Sequence, residues 1–544
     1  MSKELRSLEQ IGVGLAIMLA VLSLFSGHQQ RSFDAYVHMF FADHYLRSWF
    51  DLWDPRWYGG FSVASYPPLA HQTLAILSAL LPRETAYALL TAAVMTALPL
   101  SVGAFARIFC DARTAALAVI IAALWPVQQR VAYNYGQLPT LFAAPIVLFA
   151  TAQLDAFCRG GLKRNLLRYG FLMGAMAGAH HQTMLFGAYA SMIVGCAHVL
   201  FGQTSRGALV RRILSAGAVA GVAVVTVGWP VILYGAQGPQ TEIPHFSRDP
   251  LWERLLTLDL VQQVGSALVV LIAALALIWK RLWHAAFFAG AAFFFFVLSF
   301  GTTTPLPDLM FRAMARYFVY DRFTFWGCLL GAPVIAAAIV HVFGDGPRVR
   351  LGLVFALLPL NLLTVSFRES ARQPAFIEDL SPMLAVLNAP GAERFRHLTL
   401  GFGDQMCRLD MESRSPNADG DYHAARALTM LKESGIAALD TCKYFPQGPD
   451  VLKRFLGMAD ALSLRWVLVY DEWYHPHLFE SGYELAEVWP NGVTLFERTV
   501  PPLVAKPTPP SGFGGIVWGT FPLACLVISA ALAVLARHRR ITPK

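Results

Sequence analysis

Long apolar runs alternate along this chain with short polar joints, most of them basic. Runs such as 11–27, 213–234, 266–279, 285–300 and 513–536 carry almost no charge. Several approach the roughly 20 residues that a helix needs to cross a hydrocarbon core about 30 Å thick. At that depth backbone groups must be satisfied within their own segment, so the pattern predicts helices. They fall near 11–27, 85–106, 112–128, 138–156, 169–183, 186–201, 213–234, 261–279, 284–300, 322–342, 350–366 and 513–536. The stretch 67–82, with proline at both ends, is a short re-entrant or interfacial helix or one more span, giving about twelve or thirteen spans. The stretch 169–201 begins and ends at basic clusters, so it folds back on itself with His180-His181 at its tip. The first run reads as retained, because its start is mildly basic but no small-x-small cleavage site follows before His28.

Residues 367–511 break this pattern and read as a separate α+β domain. Strands are predicted at 394–401, 464–470, 483–489 and 493–497, the last two joined through Pro490-Asn491-Gly492, a strong hairpin signal. A helix is predicted over 422–433, stopped by Ser434-Gly435. The proline-rich run 501–510 is a stiff linker into the last helix. The expected organisation is an all-α polytopic membrane bundle over 1–366, an inserted extracytoplasmic α+β domain over 367–511, and a final transmembrane helix with a basic tail over 512–544.

Composition agrees. Hydrophobic residues make up 56% and charged residues 14%, against about 25% charged in a typical soluble domain. The net charge of +8 is not a nucleic-acid signal, because the basic residues sit in short joints: Arg159 to Arg168, Arg206 to Arg212, Lys280-Arg281, Arg348 to Arg350 and the 537–540 tail. The positive-inside rule assigns these joints and both termini to the cytoplasm, in a multi-pass cytoplasmic-membrane protein. The polar-rich junctions 28–66, 129–137, 180–183, 235–259, 301–322 and 367–511 then share the outer side. Of seven cysteines, only Cys407 and Cys442 lie in the outer domain, where an oxidising compartment would allow a disulfide. No CxxC, histidine-rich metal spacing, Walker loop or Rossmann loop is present.

The densest chemistry lies in the first outer loop. If 33–46 is helical, Asp34 and His38 share a face at i and i+4, and Asp43 pairs with Arg47 in the same way. A carboxylate there can act as general base, or Asp34 simply caps the helix. Trp49, Trp53, Trp57 and Tyr58 form a sugar-stacking platform or an interfacial belt. Arg312, Arg316 and Arg322, around Tyr320-Asp321, suit a phosphate or pyrophosphate, or else form ion pairs with Asp321. His180-His181 lines a cavity or is structural, and lacks an obvious third metal ligand.

Asp34…His38, Pro55-Arg56-Trp57, Gly59-Gly60 and Tyr66-Pro67-Pro68 resemble the first loop of the C-type (GT-C) glycosyltransferase superfamily. The closest likeness is to the bacterial and archaeal membrane proteins catalogued as 6-pyruvoyl-tetrahydropterin-synthase-related. Gly136-Gln137-Leu138-Pro139-Thr140, His180-His181, Tyr320-Asp321-Arg322-Phe323 and the 419–426 segment extend the resemblance over nearly the whole chain. It implies an extracytoplasmic active site using a sugar on a polyprenyl phosphate, with an acidic residue of the first loop as base and inversion at the anomeric carbon. Carried onto this chain, the base is Asp34, with Asp43 as second candidate. His38, Arg56, Trp57, Tyr66, Tyr135, Gln137, His180, His181, Arg316, Tyr320, Asp321 and Arg322 become substrate-binding residues. A divalent cation (Mg or Mn) is left open and no metal ligand is assigned, since Asp34 and Asp43 lie nine apart rather than in a tight Asp-x-Asp. Expected partners are the lipid-linked donor, an extracytoplasmic glycan, lipid or protein acceptor, and membrane lipids. The competing readings are a transporter or flippase of lipid-linked glycans, and a non-catalytic scaffold for envelope assembly.

Overall fold

The computed structural model describes residues 3–25, 27–235, 242–253, 258–344, 346–366, 376–426, 428–504, 509 and 512–541. The fold is 72% helical, with a small sheet near the C-terminus. Each predicted apolar run is a helix: Lys3–Leu24, Arg83–Ala106, Ala112–Leu124, Leu138–Gly160, Lys163–Ala179, Thr183–Phe201, Arg206–Gly235, Leu258–Trp279, Trp283–Ser299, Asp321–Phe343, Pro347–Ser366 and Gly512–Ile541. Among the described helices, seven are long and apolar enough to cross a membrane. An eighth counts if Ala112–Leu124 and Pro126–Asn134, bent by 46°, form one span. Length and hydropathy therefore credit fewer crossings than the twelve or thirteen of the sequence pattern. Trp283–Ser299 is short, and Lys163–Ala179 is 17 residues long and opens on two basic residues.

The ambiguous 67–82 stretch resolves into Leu69–Ser78, a helix of 10 residues. At 1.5 Å per residue it is about 15 Å long and cannot cross a bilayer. It packs inward instead, burying Leu69, Ala70, His71, Gln72, Leu74 and Ala75. Gln72 Nε2 donates to the carbonyls of Trp518 (3.1 Å) and Gly519 (3.3 Å) in the last helix. The Trp518 carbonyl is available because Pro522, four residues on, has no N–H to give it. Trp49 Nε1 also donates to the Gly519 carbonyl, and Trp518 Nε1 donates to Tyr45 Oη. The last helix is thus stitched to the first outer loop.

That loop is a helix, Ala35–Arg47, followed by a two-residue ladder of β1 (Trp53–Asp54) and β2 (Phe61–Ser62). In the C-terminal region expected to form the outer domain, β3 (Arg396–Leu400), β4 (Leu464–Val469), β5 (Glu484–Val488) and β6 (Thr494–Glu497) form a sheet of order β3-β4-β6-β5. All four strands match their predicted positions. The hairpin closes through Gly492 at φ 84°, a left-handed turn that glycine adopts without strain. The predicted 422–433 helix is replaced by two short turns, His423–Ala425 and Thr429–Lys432. The cause is Arg426, which is 1% exposed. Its guanidinium pairs with buried Asp419 and donates to the Ile436 carbonyl, so the chain wraps around a buried cation. Cys407 and Cys442 are both buried free thiols, so the disulfide is not formed. The predicted proline-rich linker over 501–510 and the junction over 235–259 lie partly outside the described residues.

The outer domain docks on the first loop through polar contacts. Asp43, 3% exposed, accepts from Arg47 Nε (2.6 Å), Arg56 Nη1 (2.6 Å) and Arg83 Nη2 (2.8 Å). Arg56 also grips Asp54, which His44 meets from the other side at 3.0 Å. Arg47 Nη2 donates to the Met411 carbonyl, and Arg83 faces Glu412 at 3.7 Å. The fully buried Trp57 ring stacks on Phe40 at 3.8 Å, and its Nε1 donates to Asp410 at 2.6 Å. Gly420 lies so close that a Cβ there would sit 2.6 Å from the Trp57 indole. Replacing Asp43 by Asn should therefore leave buried Arg56 short of one counter-charge. The expected loss is about 3 kcal/mol, read as a lower thermal midpoint of the detergent-solubilised chain, whereas Arg47→Gln, at an exposed partner, should change it little.

Candidate functional site

Asp34 occupies the N-cap position of Ala35–Arg47, but its side chain caps nothing. The backbone around it is held from elsewhere. A π-helical turn, Arg130–Asn134, ends with carbonyls that its own helix cannot satisfy. Phe33 N–H donates to the Asn134 carbonyl (3.2 Å), and Asp34 N–H to that of Tyr135 (3.0 Å). This approach requires Gly136: at φ 70°, a Cβ there would lie 2.6 Å from Ser32 Oγ and 3.1 Å from Ala35 N. Tyr87 Oη donates to the Gly136 carbonyl and fixes the turn.

The Asp34 carboxylate is half-buried and has no hydrogen-bond or ion-pair partner among the described residues. Burial raises its pKa to about 6, Arg322 pulling it down and Asp321 pushing it up. Arg322, on the first turn of Asp321–Phe343, is held by two neutral oxygens: Gln182 Oε1 at 2.5 Å and Gln137 Oε1 at 3.4 Å. Amide oxygens orient a guanidinium without neutralising it. Tyr135, Gln137, Asp321 and Arg322 also line one small cavity of about 30 Å³, together with Arg130.

Tyr66 is the hub beside this pair. Its ring lies 5.9 Å from His38, 5.1 Å from His71, 6.2 Å from His180, 5.7 Å from His181 and 5.0 Å from Tyr422. His180 and His181 sit in the turn between Lys163–Ala179 and Thr183–Phe201, as their spacing predicts. Thr183 N–H donates to His180 Nδ1, which assigns the ring proton to Nε2, a buried atom with no hydrogen-bond partner among the described residues. His38 bonds through Nδ1 to His71 Nε2 at 3.1 Å rather than to Asp34. Burial, His71 and Arg322 hold His38 well below its ordinary pKa, so it stays neutral.

Other expected site residues serve the scaffold. The oxygens of Asp43 are taken by three guanidiniums, so it is neither a spare base nor a second carboxylate for a metal beside Asp34. Arg56 is spent on Asp43 and Asp54. Trp57 and Tyr58 are too buried to stack on a sugar, which leaves half-buried Trp49 and Trp53 of the four aromatics. Tyr320 is buried with its hydroxyl donated to the Ala315 carbonyl. Arg316 is exposed over Tyr317, outside the Gln137–Gln182–Arg322 contacts, so the three arginines do not act as one clamp. Among the described residues no group of three His, Cys, Asp or Glu side chains is arranged to hold a metal ion.

Sequence reasoning missed His71, Tyr422 and the outer-domain acids. Tyr422 Oη reaches the Ser65 carbonyl at 3.3 Å, and Tyr58 Oη meets the Tyr422 backbone at 3.0 Å. Burial raises Asp404 and Asp421 well above the carboxylate range, and Asp34 is among the charges that add to it. The 419–426 segment was visible as a motif, but nothing in its spacing placed it against residue 66.

No family model and no curated protein matches this sequence. Among solved structures, the fold is similar to a crystal structure of the Archaeoglobus fulgidus oligosaccharyltransferase in complex with Zn and sulfate. The TM-score is 0.51 at 12% identity, over 90% of this chain and 73% of that one. The archaeal oligosaccharyltransferase AglB from Archaeoglobus fulgidus, in complex with an inhibitory peptide and a dolichol-phosphate, aligns at TM-score 0.50 and 12% identity, over 88% and 70%. ArnT from Cupriavidus metallidurans bound to undecaprenyl phosphate aligns at TM-score 0.46 and 12% identity, over 89% and 97%. At these identities the likeness is one of fold alone.

The raised pKa of Asp34 has a stability consequence. The folded chain keeps this proton up to about pH 6, whereas the unfolded chain releases it near the ordinary carboxylate value of 3.8. Stability from this group is therefore lost as pH rises between those values. Asp34→Asn, which mimics the protonated form, should be more stable than the parent by about 1–3 kcal/mol at pH 7.5. The gain should vanish near pH 4, as read by thermal melts at both pH values.

Proposed function

We propose that this multi-pass membrane protein is a glycosyltransferase, moving a sugar from a polyprenyl-phosphate donor to an extracytoplasmic glycan, lipid or protein. The observation that carries the reading is that Asp34, a carboxylate without a partner among the described residues, feels the charge of Arg322, which among those residues is held by neutral amides. The acceptor hydroxyl attacks the anomeric carbon while Asp34 takes its proton. The bond from that carbon to the phosphate oxygen breaks, and polyprenyl phosphate leaves with the electron pair. Arg322 offsets the charge that grows on the leaving phosphate, a role suited to a guanidinium already oriented before the reaction. A single displacement inverts the anomeric centre. His180 Nε2–H and the Tyr66 cluster line the sugar's side of the chamber.

The structurally similar archaeal oligosaccharyltransferase was solved with a dolichol-phosphate, which agrees with a lipid-linked donor here. The nearer kinship to the 6-pyruvoyl-tetrahydropterin-synthase-related membrane proteins rests on the loop and histidine motifs. The basic joints favour cytoplasmic termini in the cytoplasmic membrane, with the Asp34 chamber facing outward.

The test is transfer by the purified chain across a panel of polyprenyl-phosphate sugars. Asp34→Asn should lower kcat by about 10²–10⁴ while the protein stays folded. The parent should show an acid limb near pH 6, as expected for a base with that pKa. Arg322→Gln removes the cation that lowers it, so the limb should move to higher pH and the donor KM should rise. Unchanged transfer by Asp34→Asn would remove it as the base; absence of transfer by the folded parent with every donor would remove the reading.

A further inference from the structure

A second cavity, of about 930 Å³, lies at the end of the bundle away from the outer domain. Helix direction places it there. Arg83–Ala106 starts beside Asp43 and Glu412, and Arg107, just past its other end, lines the cavity. Those 24 residues span about 36 Å at 1.5 Å each. Leu138–Gly160 and Thr183–Phe201 likewise begin at the Asp34 chamber and finish at this cavity.

Its lining sets Arg107, Arg159, Arg212, His198 and His284 against a single carboxylate, Asp155. Asp155 is already satisfied: Arg159 Nε bonds both its oxygens at 2.9 and 3.0 Å, and His198 Nε2 lies 3.0 Å from one of them. Asp155 is therefore not the counter-charge of Arg212. Arg212 donates through Nη1 to the carbonyls of Cys158 (2.7 Å) and Arg159 (3.1 Å), the loose C-terminal carbonyls of its neighbouring helix. This arginine too is oriented by neutral oxygens and has no carboxylate partner among the described residues. Gly161, at φ 67°, permits the contact, since a Cβ there would lie 2.8 Å from Arg212 Nη2.

We propose that this cavity binds a phosphate group, carried either by an anionic lipid headgroup or by a soluble phosphate compound. The planar guanidiniums among the lining residues match the several oxygens of a phosphate better than one carboxylate. The volume exceeds what a bare ion needs and leaves room for the group that carries it. One wall borders the acyl-chain region: Phe201 lines the cavity, and its neighbours Val199 and Leu200 are exposed on the apolar helix face. The site is separate from the Asp34 chamber by the length of the bundle.

The test uses the full chain in nanodiscs of phosphatidylcholine, with or without phosphatidylglycerol, and inorganic phosphate or pyrophosphate added to the phosphatidylcholine arm. Cys110, which lines the cavity, is followed by peptide-level maleimide labelling beside the thermal midpoint. A filled site should slow labelling of Cys110 and raise the midpoint. Arg107→Gln should weaken the effect about tenfold, as expected for losing one charge-assisted hydrogen bond, and Arg107→Lys should restore part of it. Response to phosphatidylglycerol alone identifies a headgroup site; response to phosphate or pyrophosphate without it identifies a soluble ligand. If Arg107→Gln does not fold, the folded Arg107→Lys variant should still show a weaker, more salt-sensitive response than the parent. No protection by either source, or protection unchanged in a folded Arg107→Gln, overturns the proposal.

Discussion

Three guanidiniums converge on the buried carboxylate of Asp43, and the position of everything on the outer face follows from that convergence. A buried carboxylate is tolerable only when its charge is met by donors on several sides. Here the donors come from its own helix, from the loop after it and from the next long helix, so one group ties three segments together. Arg47 and Arg83 then reach the Met411 carbonyl and Glu412, and Trp57 reaches Asp410, which extends the lock to the outer domain. The C-terminal half of Ala35–Arg47 is immobilised as a result. Its N-terminal end carries Asp34, and that end is fixed by backbone bonds rather than by side-chain charges. The same loop therefore contains carboxylates fully neutralised for structure and one left unneutralised.

The side chains near Asp34 rely on neutral partners. Gln137 and Gln182 aim Arg322, Thr183 sets the tautomer of His180, and His71 engages His38. Were Arg322 aimed by a carboxylate instead, its charge would be cancelled and Asp34 would lose the cation that tempers its pKa. The cavity at the opposite end uses a related device, where backbone carbonyls rather than amide side chains aim Arg212.

Much of this was legible in the sequence because burial in lipid imposes long uniform runs. The helices and the four outer strands are local patterns, and each lies where its pattern put it. Asp43 with Arg47 is also local, one helical turn apart. What was hidden depends on contacts between distant residues. Trp57 reads as an exposed aromatic until Asp410, separated by 353 residues, takes its indole N–H. The 422–433 segment has the composition of a helix, yet the demand of a buried Arg426 for Asp419 and Ile436 breaks it. Arg312, Arg316 and Arg322 look like a cluster along the chain, but Arg316 lies over Tyr317 whereas Arg322 is held by Gln137 and Gln182. His71 carries no signal of its own, Tyr422 only that of the 419–426 motif, and the fold alone brings both to Tyr66.

The proline in the last helix has a bearing on how the protein is made. Pro522 leaves the Trp518 carbonyl open to Gln72, and Trp518 itself reaches back to Tyr45. A ribosome delivers those first-loop residues hundreds of codons before their partners emerge. Until then, Leu69–Ser78 and the base of the loop lack their final braces, and a nascent chain halted early stays unfinished at its most reactive corner. The braces of the first loop are thereby completed only when the last helix has been made.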